Sequence, residues 1–147
     1  MEISKVVIYI THQDKLLVFR HTQFPEAGIQ VPAGTIEVGE SIDHAAIREA
    51  EEETGLTDLM LVGYLGEELL DLSDTEFAAM MRRYFFHMVV TVEPQQTWIH
   101  YEYDPSDGSP APIEFEFFWV RFPDAVPKLT GEQDAFLDKL VGGHVDY

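Results

Sequence analysis

The sequence predicts an α/β or α+β sandwich in a single domain. Three observations carry that expectation. Strand-like runs precede and follow one sharply bounded helix pattern. A second helix pattern lies near the C-terminal end. The composition is rich enough in apolar residues to fill a core between layers. Hydrophobic residues make up 46% of the 147 residues and aromatics 12%, a balance suited to one packed core rather than to disorder. No apolar run approaches the roughly 20 residues a membrane span requires. The opening Met1-Glu2-Ile3-Ser4-Lys5 lacks the charged-then-apolar order of a signal peptide. With no cysteine, disulfides and thiolate metal ligands are excluded. A cytoplasmic protein is the default expectation.

Taken in order, residues 6–11 and 16–21 read as two strands around the polar turn His12-Gln13-Asp14-Lys15. Residues 22–28 form a loop carrying Pro25, residues 29–32 a short strand, and residues 33–40 a loop with Gly34 and Gly39. Ser41 is placed to cap a helix over Ile42–Thr54, and Gly55 stands where a left-handed stop is wanted. Residues 60–70 and 82–93 read as strands. Between them Ser73-Asp74-Thr75-Glu76 fits a capping box, leaving a helical turn or a plain connection open. Residues 98–103 suggest a further strand, residues 104–112 a loop with three prolines, and residues 113–122 a strong strand. Thr130-Gly131-Glu132-Gln133 reads as a capping box for a C-terminal helix with Phe136, Leu137, Leu140 and Val141 as its apolar positions.

The formal net charge is -18, from 27 acidic and 9 basic residues. Such a surface repels the phosphates of a nucleic-acid polymer, and nothing in the pattern suggests a membrane partner. An anionic substrate would need a local inversion of that field, which a bound divalent cation supplies.

The helix over Ile42–Thr54 changes character along its length. At about 100° per residue, Ile42, Ala45 and Ala46 share one face, and its continuation holds Glu49, Glu52 and Glu53. Ile47 and Ala50 are placed on a second apolar face, roughly opposite. Negative charge at a helix C-terminus is opposed by the macrodipole, by up to about 1 kcal/mol per charge, and like charges within a turn repel further. Mg²⁺ takes oxygen ligands from carboxylates and would turn this cost into a gain.

Gly34, five residues, Glu40, seven residues, then Arg48-Glu49-Ala50-Glu51-Glu52-Glu53-Thr54-Gly55-Leu56 resembles the Nudix box over 23 residues, with every fixed position met. The resemblance implies the Nudix fold, a mixed β-sheet carrying the box helix and a C-terminal helix. It implies hydrolysis of the pyrophosphate linkage of a nucleoside diphosphate derivative, dependent on Mg²⁺ or Mn²⁺. By matching positions, Glu49, Glu52 and Glu53 correspond to the family's metal-binding carboxylates. Glu40 and Arg48 correspond to the ion pair that holds the loop against the helix, and Gly34 to the glycine of the loop turn. The Ala33 carbonyl corresponds to one that meets a metal in several relatives. Independently, a metal ion can neutralise phosphate oxygens and activate water, and a neighbouring glutamate can accept the proton. The rival reading is a Nudix-fold module that binds a nucleotide without cutting it. Such proteins usually lose box glutamates, and here all are present.

Arg20, Arg82 and Arg83 are candidates for binding substrate phosphates, since guanidinium matches phosphate geometry. Phe24, Trp98 and Tyr101 are weaker candidates for stacking a base, and the six histidines read as structural. Substrate stays open between a nucleoside triphosphate, a nucleotide sugar and a dinucleotide. The proline expected after the box of ADP-ribose pyrophosphatases is replaced by Leu72, and no proline lies between Leu56 and Pro94 to match the NADH-hydrolase signature. In residues 113–122, alternation puts Glu114, Glu116, Phe118, Val120 and Phe122 on one face. Relatives often place a further acid shortly before a tryptophan-bearing strand segment, here Trp119. Glu116 is therefore expected to face Glu53 across the pocket, ahead of Glu114, with Glu102 a weaker competitor. A protected edge strand is the alternative.

Overall fold

A computed structural model gives the fold of residues 2–75, 79–103 and 112–142. β1 (Glu2–His12) and β2 (Lys15–His21) form a hairpin, closed at Thr11 opposite Leu16 and His12 opposite Lys15. Gln13 takes the positive φ that a tight turn demands. A 3₁₀ turn over Pro25–Ala27 leads to β3 (Ile29–Gln30) and β4 (Ala33–Thr35). α1 (Ile42–Thr54) follows, then β5 (Leu59–Asp71), β6 (Met80–Val90), β7 (Thr97–Glu102), β8 (Ile113–Arg121), a 3₁₀ turn over Thr130–Glu132 and α2 (Leu137–Gly142). The sheet runs β5-β6-β1-β2-β8-β7, with β3 on β2 and β4 on β1. β1 and β6 are parallel and the other pairs antiparallel, so the expected mixed sheet is present.

Strand alternation splits the core into two layers. On one face Val6, Ile8, Ile10, Leu17, Phe19, Phe115 and Phe117 pack under Ala45, Ala46 and Ala50 of α1. On the other, Val7, Tyr9, Leu16, Val18 and Phe85 pack against Leu129 and Leu140 at the C-terminal end. Among the described residues no helix is long and apolar enough to cross a membrane.

Three local expectations are corrected. Residues 33–35 are not loop but β4. Ala-Gly-Thr has little strand propensity of its own, and pairing with β1 through Val6 and Gly34 makes it a strand. Ala50 is fully buried beside Ala46, while Ile47 is 37% exposed. Residues four apart stack on one face, so Ala50 joins the stripe and no second apolar face exists. Thr130 does not cap a helix: its hydroxyl donates to the Ala27 carbonyl, and the Gln133 side chain accepts from Val31 N–H. The segment closes as a 3₁₀ turn, and α2 starts only at Leu137. Ser73 and Asp74 lie in a turn, and Glu76, the far partner of that capping box, lies outside the described residues.

Candidate active site

α1 has firm ends. The Ser41 side chain accepts from His44 N–H at 3.2 Å, and Gly55 adopts the left-handed conformation at φ 78° while donating to the Glu51 carbonyl. The carbonyls of its last turn also find side-chain donors. Trp98 Nε1 donates to the Thr54 carbonyl at 2.8 Å and His100 Nε2 to the Glu52 carbonyl at 2.9 Å. Both donors come from alternate positions of β7, and the next on that side is Glu102.

The carboxylates of α1 meet the unpaired edge of β4. Ile8 donates to the Pro32 carbonyl and Ile36 to the Ser4 carbonyl, with Val6 opposite Gly34 between them. In an antiparallel ladder the intervening residues, Ala33 and Thr35, then turn their backbone groups to the other edge. Glu53 accepts a hydrogen bond from the Ala33 backbone, and the Ala33 carbonyl shares that edge. Glu49 lies against Gly34 so closely that a Cβ there would overlap its carboxylate. A side chain at position 34 would push the Glu49 carboxylate from this place.

Arg48 ties the loop to the helix. Nε and Nη2 grip both oxygens of Glu40 at 2.7 and 2.8 Å, and Nη2 also donates to the Thr35 carbonyl at 3.0 Å. Nη1 reaches Glu49 at 2.9 Å and Glu52 at 3.2 Å. Glu40 accepts further from Glu37 N–H and from His44. The Arg48 hydrogen bonds, followed by that backbone donor, hold the Glu40 carboxyl well below the usual carboxylate range.

The box glutamates are not equivalent. Glu53, at the centre of the helix stripe, is buried. Burial first, and then the charges of Glu102 and Glu49, push its carboxyl well above the usual range, against the opposing pull of the Ala33 hydrogen bond and Lys5. Glu49 is pushed up by burial, opposed by Arg48, and feels Glu52 and Glu102. Glu52, at the stripe's margin, has a side chain 63% exposed.

These oxygen donors suit a hard dication chemically. Glu49, Glu53 and Glu102 crowd their negative charges, which a cation would relieve. Among the described residues no three acids converge in a ligand geometry, and Arg48 engages oxygens of Glu49 and Glu52. A cavity of about 300 Å³ lies beyond the carbonyl end of α1, beside Gly55, Trp98 and His100, and none of these glutamates lines it.

Other expected residues sit elsewhere. Glu116 is engaged by Arg20 Nε at 2.6 Å, on the face of β8 that alternates with Phe115 and Phe117 and that Lys5, Val7 and Tyr9 share on β1. Glu114 shares that face and accepts from Thr22 and Tyr101. The acid whose charge reaches both Glu49 and Glu53 is Glu102. The arginines are all engaged by carboxylates: Arg20 as above, Arg82 by Glu2 and Glu67 at 2.8 Å each, and buried Arg83 by Glu68 together with the carbonyls of Gly131 and Glu132. Of the aromatics, Trp98 stacks on Phe117 within the core and Phe24 is 55% exposed. Sequence reading missed the capping roles of Trp98 and His100, whose signal was alternation with Glu102 along one short strand.

A mixed sheet thus carries a capped helix that ends in carboxylates, and an arginine–glutamate pair holds a glycine-bearing strand to it. A family model described as the NUDIX domain matches residues 1–140, and the chain belongs to that family. It is 30% identical over 63 residues to the NAD-capped RNA hydrolase NudC of Vibrio atlanticus (strain LGP32), an alignment covering 43% of this chain and 23% of that protein. The chain thus spans under a quarter of that relative. Among solved structures, a UDP-X diphosphatase superposes with a TM-score of 0.63 at 21% identity, over 99% of this chain and 66% of that one. A MutT NUDIX hydrolase from Burkholderia pseudomallei gives 0.61 at 21%, over 95% and 98%. At such identities these likenesses show the fold.

Proposed function

We propose that this chain hydrolyses the pyrophosphate linkage of a nucleoside diphosphate joined to another moiety, with Mg²⁺ or Mn²⁺ held by Glu49, Glu52 and Glu53. The observation that carries the reading is the buried Glu53, which lies with Glu49 along β4 and within the field of the Glu102 charge. Carboxylates whose charges crowd one another are unfavourable alone and favourable around a cation. When bound, the metal supplies charge neutralisation at phosphate oxygens and an acidified water.

The chain's own residues then have distinct tasks. Arg48 and Glu40 fix the β4 edge against α1, which sets the Ala33 carbonyl and Glu49 in one place. Glu53 is oriented by the Ala33 N–H. Glu102, on β7, accepts the proton from water in this reading, supported by the reach of its charge to both Glu49 and Glu53. Two similar proteins, the UDP-X diphosphatase and the NAD-capped RNA hydrolase, are named for work on nucleotide derivatives, which supports this substrate class.

The test is a screen of nucleoside triphosphates, nucleotide sugars and dinucleotides with Mg²⁺ or Mn²⁺, with products identified. Turnover that stops with chelator and returns with metal is expected. Tight binding without turnover across the panel would favour the silent binding module instead.

A further inference from the structure

The arginines engaged by carboxylates leave the question of which cation meets an anionic substrate. Lys5 is half-buried, and among the described residues its ammonium has one hydrogen-bond partner, the neutral Thr35 hydroxyl at 2.9 Å. An ammonium carries three donors, and among the described residues no carboxylate lies within ion-pairing distance of this one. Lys15 and Lys139 also lack such a partner, but both are exposed.

The sheet sharpens the point. Glu68, Arg83, Lys5 and Thr35 form one row across β5, β6, β1 and β4. Glu68 balances Arg83, and nothing in the row balances Lys5. Like charges on neighbouring strands are unfavourable, and a partly buried charge without a direct ion pair costs free energy. In a chain of net charge -18, Lys5 has the longer-range field of Glu53 but no ion pair in its row, which leaves its remaining donors open to an anionic oxygen. Thr35, its anchor, has its carbonyl held by Arg48, so the ammonium is tied to the strand that borders the carboxylates.

We propose that Lys5 binds a phosphate of the substrate at the β4 edge, supplying the anion contact that Arg20, Arg82 and Arg83 do not. This rests on the proposed function and adds a residue that the Nudix box does not contain. Lys5 also acts on Glu53 through its charge, so phosphate held there would be within the field of the same site.

The test uses the full chain loaded with Mn²⁺ and inorganic pyrophosphate as probe, measured by calorimetry at two salt concentrations. Lys5→Met and Lys5→Gln should weaken pyrophosphate roughly 10- to 100-fold, as loss of a charged hydrogen-bond partner does, with a shallower salt dependence. Lys5→Arg should stay within about threefold, because charge and donors remain. Mn²⁺ affinity, followed by electron paramagnetic resonance, should not weaken in any variant. Pyrophosphate binding equal to wild type in both neutral variants would overturn the role of Lys5 while leaving the proposed function standing. Loss of Mn²⁺ and pyrophosphate together, with a lowered melting temperature, would make the lysine structural and overturn it too. A wild-type protein that neither binds pyrophosphate nor cuts any nucleoside diphosphate compound would overturn both readings.

Discussion

Glu53 occupies a place that is unfavourable for an isolated carboxylate. Burial and two neighbouring acids oppose its charge, and one backbone N–H does not offset a lost hydration shell. A residue retained for stability alone would not be built this way. Glu53→Gln removes the charge and keeps the size, so the metal-free protein should melt at the same temperature or higher, while turnover falls by about two orders of magnitude or more. Calorimetry and a rate assay check the pair of outcomes, and near wild-type turnover would remove Glu53 from the site. The outside acid is tested by contrast. Glu102→Gln should depress kcat strongly, whereas Glu116→Gln should leave it close to wild type, because the Glu116 carboxylate is already engaged by Arg20. The reverse ranking in side-by-side kinetics would restore Glu116 and reject Glu102.

At the scale of elements, α1 and β7 act as one unit. Trp98 and His100 satisfy two carbonyls of the last helical turn, which would otherwise need water or a motif of their own. That fixes Glu52 and Glu53 relative to Glu102. Trp98→Phe keeps an aromatic ring over Phe117 and removes the donor with part of the indole. It should cost about 1 kcal/mol, a few degrees of melting temperature for a chain of this size, and should weaken Mn²⁺ binding. If melting and Mn²⁺ affinity both stay unchanged, the contact is incidental to the site. The same pair of elements shows what was legible beforehand. Both ends of α1 follow from Ser41 and Gly55, since caps are local chemistry, and Glu49 and Glu53 follow from helical periodicity. The alternating face of β8 was also readable. Which face meets α1 was not, because it depends on β8 lying between β2 and β7, a matter of long-range pairing. β4 was hidden for the same reason, and so were the acids that engage the three arginines, 15 residues away in sequence for Arg83 and Glu68, and 96 for Arg20 and Glu116.

For the whole molecule, an excess of acid makes the few well-placed cations decisive. Arg48 joins the loop, β4 and α1 through contacts to Glu40, Glu49, Glu52 and the Thr35 carbonyl. Its pairing leaves a signature in the pH dependence of stability. The Glu40 carboxyl has its folded pKa depressed from the usual 4.5, chiefly by Arg48. Above that value the group is ionised in both folded and unfolded chains, and its stabilising contribution is complete. As the pH falls below it, the unfolded chain takes up a proton that the folded chain does not, so the contribution shrinks and is lost as the pH passes through the depressed folded value. Arg48→Ala should therefore melt well below wild type at about pH 7, with the gap narrowing toward about pH 3, where the unfolded chain is already protonated. Turnover should fall as well, because the β4 edge is no longer held against Glu49 and Glu53. Melting curves of both proteins across that range decide the matter. A gap that stays constant with pH would show that the Glu40 pair does not couple the box loop to the fold.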